Sequence, residues 1–110
     1  MKKVLNMLGL CARAGKLMSG ERSTEQAIKK GGCFLAVIDG AISAVGKKSI
    51  TDACAYRNVP FVALGENELG PAIGKSGRMA AAVTDEGFAR RIAELVRETH
   101  SDTGVYTKHE

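Results

Sequence analysis

Cysteine, histidine and long apolar runs are all scarce in this 110-residue sequence, and each scarcity removes a class of function. The three cysteines, Cys11, Cys33 and Cys54, are odd in number, far apart and set among apolar neighbours, with no C-x-x-C pair or His/Cys cluster beside them. That pattern argues against a disulfide framework or a metal site, and it fits three small buried hydrophobes in a reducing cytoplasm. The two histidines, His100 and His109, fall in a polar C-terminal stretch where a general acid or base would have no rigid surroundings. The chain begins with Lys2 and Lys3, yet no unbroken apolar stretch follows before Arg13, so neither a signal peptide nor a membrane span is expected. No repeat and no long linker divides the sequence, whose length is that of one domain.

What is present is the make-up of a folded protein, 45% hydrophobic and 25% charged residues. The charge is unevenly distributed. Residues 1–48 hold nine lysines and arginines against three acids, a net +6, whereas residues 49–110 hold seven against nine, a net −2. Clustered cations favour a polyanion, because neutralising phosphates releases their counterions. On charge alone, a merely solvated surface reads the same way.

Periodicity places the elements. Val4, Leu5, Leu8, Cys11 and Ala12 recur as one face of a helix that Gly15 closes. Leu17-Met18 is a short extended piece, and Ser19-Gly20 opens a very polar second helix ending at Gly31-Gly32. The apolar run Cys33 to Ile38 predicts a central strand covered on both faces. After the Asp39-Gly40 turn, Val45, Ile50, Ala53, Cys54 and Arg57 follow helical spacing until Asn58-Val59-Pro60. Phe61 to Leu64 predicts a second strand, residues 66–73 a short helix carrying Leu69, Ala72 and Ile73 inward, and Met79 to Val83 a third main strand. Thr84 is the expected N-cap of a final helix whose face is Phe88, Ile92, Leu95 and Val96. Helices alternating with short buried strands predict a three-layer α/β/α sandwich around a small mixed sheet of about four strands. Residues 1–98 form the domain in this reading, and 99–110 read as a disordered tail.

No catalytic constellation emerges. Gly70-Pro71-Ala72-Ile73-Gly74-Lys75-Ser76 has the ending of a phosphate-binding loop, but position 69 is leucine where a glycine is required, and Gly74 follows a helix and precedes a strand. Asp39 has no histidine or second carboxylate placed near it, so it reads as a turn former, and Cys33 has no base. The chain is therefore expected to be no enzyme and to need neither cofactor nor metal. The start of the second helix is more informative. Gly20 admits a close backbone approach, the exposed N–H groups of a helix start can take phosphate, and Arg22 and Gln26 project from one face. Arginine can grip the O6/N7 edge of guanine, and glutamine an adenine edge. An ordinary exposed helix would carry the same residues.

Five segments carry a resemblance in order: LGLCARAGKLMSGE at 8–21, AIKKGG at 27–32, ITDACAYRNVPF at 50–61, ELGPAIGKSGR at 68–78 and AAAVTDEGFA at 80–89. Together they resemble the kink-turn-binding ribosomal protein superfamily, the large-subunit L-seven-Ae and L-thirty-e group, and most closely its small bacterial YlxQ-like branch. The resemblance implies an α/β/α sandwich that binds structured RNA, ribosomal or kink-turn-containing, at the start of its second helix and at the loop before the last strand. It implies helix residues on tandem sheared G·A pairs and a loop covering an extruded nucleotide. By position the first surface holds Gly20, Glu21, Arg22, Ser23 and Gln26, and the second Lys75, Ser76, Gly77 and Arg78.

The chain departs from the family pattern in having Arg22-Ser23 for an Asn-Glu pair, Gln26 for lysine, and a polar, basic last loop for an apolar one. Lys16, Lys29, Lys30 and Lys75 are expected to contact the RNA backbone, with Arg22 and Gln26 supplying base preference. The expected protein is a cytoplasmic monomer that binds RNA without catalysis and has no membrane partner. The competing expectation is a ribosome-associated or assembly module that binds protein through the same fold, having lost kink-turn recognition. What separates the two is whether residues 20–30 and 75–78 form one positive surface.

Overall fold

The computed structural model describes residues 2–99 and 105–106. In chain order the elements are α1 (Lys2–Arg13), β1 (Leu17–Ser19), α2 (Glu21–Lys30), β2 (Leu35–Ile38), α3 (Ala44–Arg57), β3 (Phe61–Ala63), α4 (Leu69–Ile73), β4 (Ala80–Val83), α5 (Glu86–Thr99) and β5 (Val105–Tyr106). The strands lie in the order β1-β4-β2-β3-β5. The β2–β3 pair is parallel and the other pairs are antiparallel, so the sheet is mixed. This is the expected sandwich, with the two-residue β5 added at one edge.

Alternation along the buried strands builds two cores. Leu35, Val37, Ala81 and Val83 face one side, where they meet Val4 and Leu8 of α1, Leu69 of α4, and Ile92, Leu95 and Val96 of α5. Ala36, Ile38, Ala80 and Ala82 face the other side, against Ala27 and Ile28 of α2 and Ile50, Ala53 and Cys54 of α3. The three alanines of β4, Ala80 to Ala82, let helices on both sides approach the sheet closely, and Val83 fills the first core. The three cysteines are buried thiols, and burial pushes those of Cys11 and Cys33 up to about 11, leaving both protonated.

Several boundaries differ from expectation for local reasons. Asp85, not Thr84, caps α5: its carboxylate accepts from the Phe88 N–H at 2.9 Å and its carbonyl from the Ala89 N–H. Thr84 is engaged instead in the sheet margin, where its N–H donates to Lys16. Asp85→Ala should accordingly lower the unfolding free energy by about 1 kcal/mol in urea titrations, with Thr84→Ala costing less. Strand β2 starts at Leu35 because Phe34 lies outside the sandwich, 44% exposed. Val45 is also exposed, since the buried face of α3 runs through Gly46, Ile50, Ala53 and Cys54 and Val45 lies off it. Helix α4 begins only at Leu69, because the backbone of Asn67 adopts a left-handed conformation with φ 59°.

Within the stretch read as a tail, Thr99 ends α5 and Val105–Tyr106 pair with β3. The remainder of that expectation, residues 100–104 and 107–110, lies outside the described residues, as do His100 and His109.

Candidate nucleic-acid interface

The β1–α2 junction is held by the start of β4. The Gly20 N–H donates to the Ala80 carbonyl at 2.8 Å, and Gly20 itself sits at φ 107°, ψ 148°, a conformation reserved for glycine. No side chain caps α2, so the first-turn N–H groups point outward at the positive end of the helix dipole. From the loop between α4 and β4, Arg78 reaches across and donates through Nη1 to the Ser19 carbonyl at 3.3 Å, spanning 59 residues of sequence. The same guanidinium lies 3.2 Å from where a side chain on Gly20 would begin. The two segments expected to cooperate therefore touch.

Asp39 positions that loop from below. Its buried carboxylate takes four backbone N–H groups: Ala41 and Asn67 at Oδ2 (2.9 and 2.7 Å), and Glu68 and Leu69 at Oδ1 (2.8 and 2.9 Å). Burial opposes its charge, but the four donors from Leu69, Ala41, Asn67 and Glu68 outweigh this and hold the carboxyl below its ordinary value. The aspartate thus ends β2 and anchors the start of α4. Gly74, at φ 74°, then closes α4, and the loop folds back so that Lys75 and Ser76 pack over Gly70, where a side chain would have no room.

The expected site residues do not all gather there. Arg22, Gln26, Lys30, Lys75, Ser76 and Gly77 are exposed, with Ser23 and Arg78 half-buried. Arg22 and Gln26 lie one turn apart, with Lys29 and Lys30 following. Lys29, however, is paired with Glu25 at 2.8 Å, and Glu25 also accepts from Ser49, which holds its carboxyl below the ordinary range. Glu21 is turned toward Gly46 at the start of α3. Lys16 stands at the opposite end of β1 from Gly20, beside Thr84, and does not join the surface. Arg13, which charge counting did not single out, lies near Lys75 across a hollow bordered by Ser19. Its signal was absent from the local sequence, because only the return of the chain through β1 brings α1 alongside the end of α4.

The family model described as the ribosomal protein L7Ae/L30e/S12e/Gadd45 family matches residues 2–93. The chain belongs to this family. An RNA-binding protein YlxQ of Bacillus subtilis is 36% identical over 91 residues, covering 82% of this chain and 91% of that protein. Its namesake in Enterococcus faecium is 34% identical over 96 residues, covering 86% and 92%. Among solved structures, a Bacillus halodurans protein of unknown function superposes with a TM-score of 0.81 at 36% identity, covering 84% of this chain and 95% of its own. A 15.5 kD RNA-binding protein of Giardia lamblia superposes with a TM-score of 0.69 at 22% identity, covering 88% and 84%, a likeness of fold. Both solved structures share the overall fold of this chain.

Among the described residues no helix is long and apolar enough to cross a membrane, and no cluster of three or more His, Cys, Asp or Glu side chains could hold a metal ion.

Proposed function

We propose that this protein is a non-catalytic, cytoplasmic, monomeric RNA-binding protein that grips structured RNA of kink-turn type with the start of α2 and the α4–β4 loop. The contact of Arg78 with Ser19 carries the reading, because it joins a cationic loop to an uncapped helix start and makes one surface of two distant segments. The names of the curated relatives support it. In this reading the open N–H groups of α2 and the charges of Lys75 and Lys30 hold phosphates, while Arg22 and Gln26 address base edges. Lys29, neutralised by Glu25, adds less than its sequence position promised.

The test is binding to a kink-turn RNA and to an equal-length duplex lacking the G·A pairs, titrated with salt. Preference for the kinked RNA is expected to survive at physiological salt. Arg22→Ala should weaken binding to it by about fivefold, the low end of the range for a lost bidentate base contact. Equal affinity of parent and variant at every salt concentration would remove Arg22 from the site.

One observation favours a second reading, a ribosome-associated assembly module. At the opposite end of the sheet, exposed Phe34 and half-buried Pro60 border a hollow of about 280 Å³ lined also by Glu86, Arg90 and Arg97 of α5, a mixed apolar and charged surface of the kind a protein segment can cover. Failure of the protein to bind either RNA would favour that reading.

A further inference from the structure

Helix α2 presents two flanks of opposite character. Thr24, Ala27 and Ile28 form its buried side. The helical repeat then puts Glu21 and Glu25 on the flank facing α3, Ser23 and Lys30 on the opposite flank, and Arg22 and Gln26 outward between them. The contacts agree with this division. Ser23 lies with Arg78 beside Gly20, whereas Glu21 lies over Gly46 and Glu25 accepts from Ser49, both in α3. The hollow between α2 and α3, about 310 Å³, accordingly holds two carboxylates against the single guanidinium of Arg22, and its remaining lining is serine, glycine and apolar.

Both carboxylates are held in place. Glu21 rests at the first turn of α3, the positive end of that helix, in room that any side chain on Gly46 would fill. Glu25 takes the Ser49 hydroxyl at 2.9 Å on one oxygen and the Lys29 ammonium at 2.8 Å on the other. Lys29 and Ser49 hold its carboxyl below the ordinary range, so it is charged at the neutral pH of an RNA-binding measurement. A surface ion pair on its own gives way readily to a phosphate, because it is worth little. Here the Ser49 bond keeps the carboxylate beside Lys29, so a phosphate approaching that lysine also meets a fixed negative charge.

We propose that Glu25 is a specificity-determining residue of the RNA surface: tied to Ser49, it withholds Lys29 from phosphates and closes the α2–α3 flank, so that a bound strand leaves Arg22 only on the side of Ser23, Lys30, Lys75 and Arg78. The inference rests on the RNA-binding reading above. Any RNA can offer a phosphate to a free lysine, whereas a kinked RNA fixed by base contacts at the start of α2 has its backbone already placed. Glu25 therefore suppresses indiscriminate binding more than binding of the preferred RNA.

The experiment measures salt-titrated affinities for the kink-turn RNA and the equal-length duplex with Glu25→Gln, whose amide oxygen keeps an acceptor for Ser49. The duplex is expected to bind about fivefold tighter at low salt, with a log–log salt slope steeper by about 0.9, the value of one further phosphate contact, while the kinked RNA gains less than about twofold. Adding Lys29→Met should cancel the duplex gain. Adding Lys47→Met instead, at an exposed position on the far side of α3 from Ser49, gives the same net charge and should leave the gain intact. No gain, an equal gain on both RNAs, or cancellation by either lysine substitution would overturn the inference and leave the RNA-binding reading standing. Absence of any RNA binding by the parent would overturn both.

Discussion

Replacing Asp39 by asparagine is expected to lower the unfolding free energy by about 4 kcal/mol, because it reverses half of a buried four-donor site. Each carboxylate oxygen accepts two backbone N–H groups, so an amide can serve only one pair and must turn its own NH2 toward the other. Two buried donors then lack an acceptor, and a charge-assisted set of hydrogen bonds becomes neutral. The loss is placed where β2 meets the start of α4, so the α4–β4 loop loses its anchor together with the domain. Urea unfolding followed by circular dichroism measures the effect, and a change below about 1 kcal/mol would show that the N–H groups find other partners.

The same carboxylate makes a pH prediction. Its folded value lies below the ordinary 3.8, so its contribution is complete above that value and is lost as the pH falls through the lower folded one. The parent should lose stability below about pH 4, and Asp39→Asn should show a flatter profile in that window. Glu25, also held low by Lys29 and Ser49 but on the surface, leaves a small residual slope. An unchanged acid profile in the variant would assign the dependence to other groups.

Sequence periodicity was enough where a face repeats without interruption. Ile92, Leu95 and Val96 lie on the buried side of α5 as their spacing requires, and the small residues of β4 are buried on both faces. It failed where partners are remote. Asp39 reads locally as a turn former, yet three of its four donors come from residues 28, 29 and 30 positions away, which no neighbouring residue reveals. Val45 reads as part of the apolar face of α3 but lies five residues before Ile50, off the face that Gly46, Ile50, Ala53 and Cys54 bury; a glycine gives the hydrophobic pattern nothing to mark that position. The candidate site divides in the same way. The family resemblance paired the α2 start with the α4–β4 loop, and the Arg78 to Ser19 contact joins them. Lys16 and Lys29 are expected contacts of the RNA backbone; β1 separates Lys16 from Gly20, and Lys29 pairs with Glu25, neither of which the local sequence displays.

Gly20 is where fold and site can be separated by experiment. At φ 107°, ψ 148° a β-branched residue is strained by about 1–3 kcal/mol, and its Cβ would begin 3.2 Å from Nη1 of Arg78. Gly20→Val should relieve both by rotating the junction, which breaks the Gly20 to Ala80 hydrogen bond and releases Arg78 from Ser19. A stability loss of about 2–3 kcal/mol is expected, with a fall of about a hundredfold in RNA affinity for the protein that remains folded. Gly15→Ala is the control: Gly15 is also left-handed, at φ 74°, but nothing lies within 4 Å of its would-be side chain. That substitution should cost about 1–2 kcal/mol in stability and leave RNA affinity unchanged. Isothermal titration at a temperature where both variants are folded tells strain from site. Full affinity in folded Gly20→Val would mean that RNA does not use the junction, and an equal loss in Gly15→Ala would make the effect one of general stability.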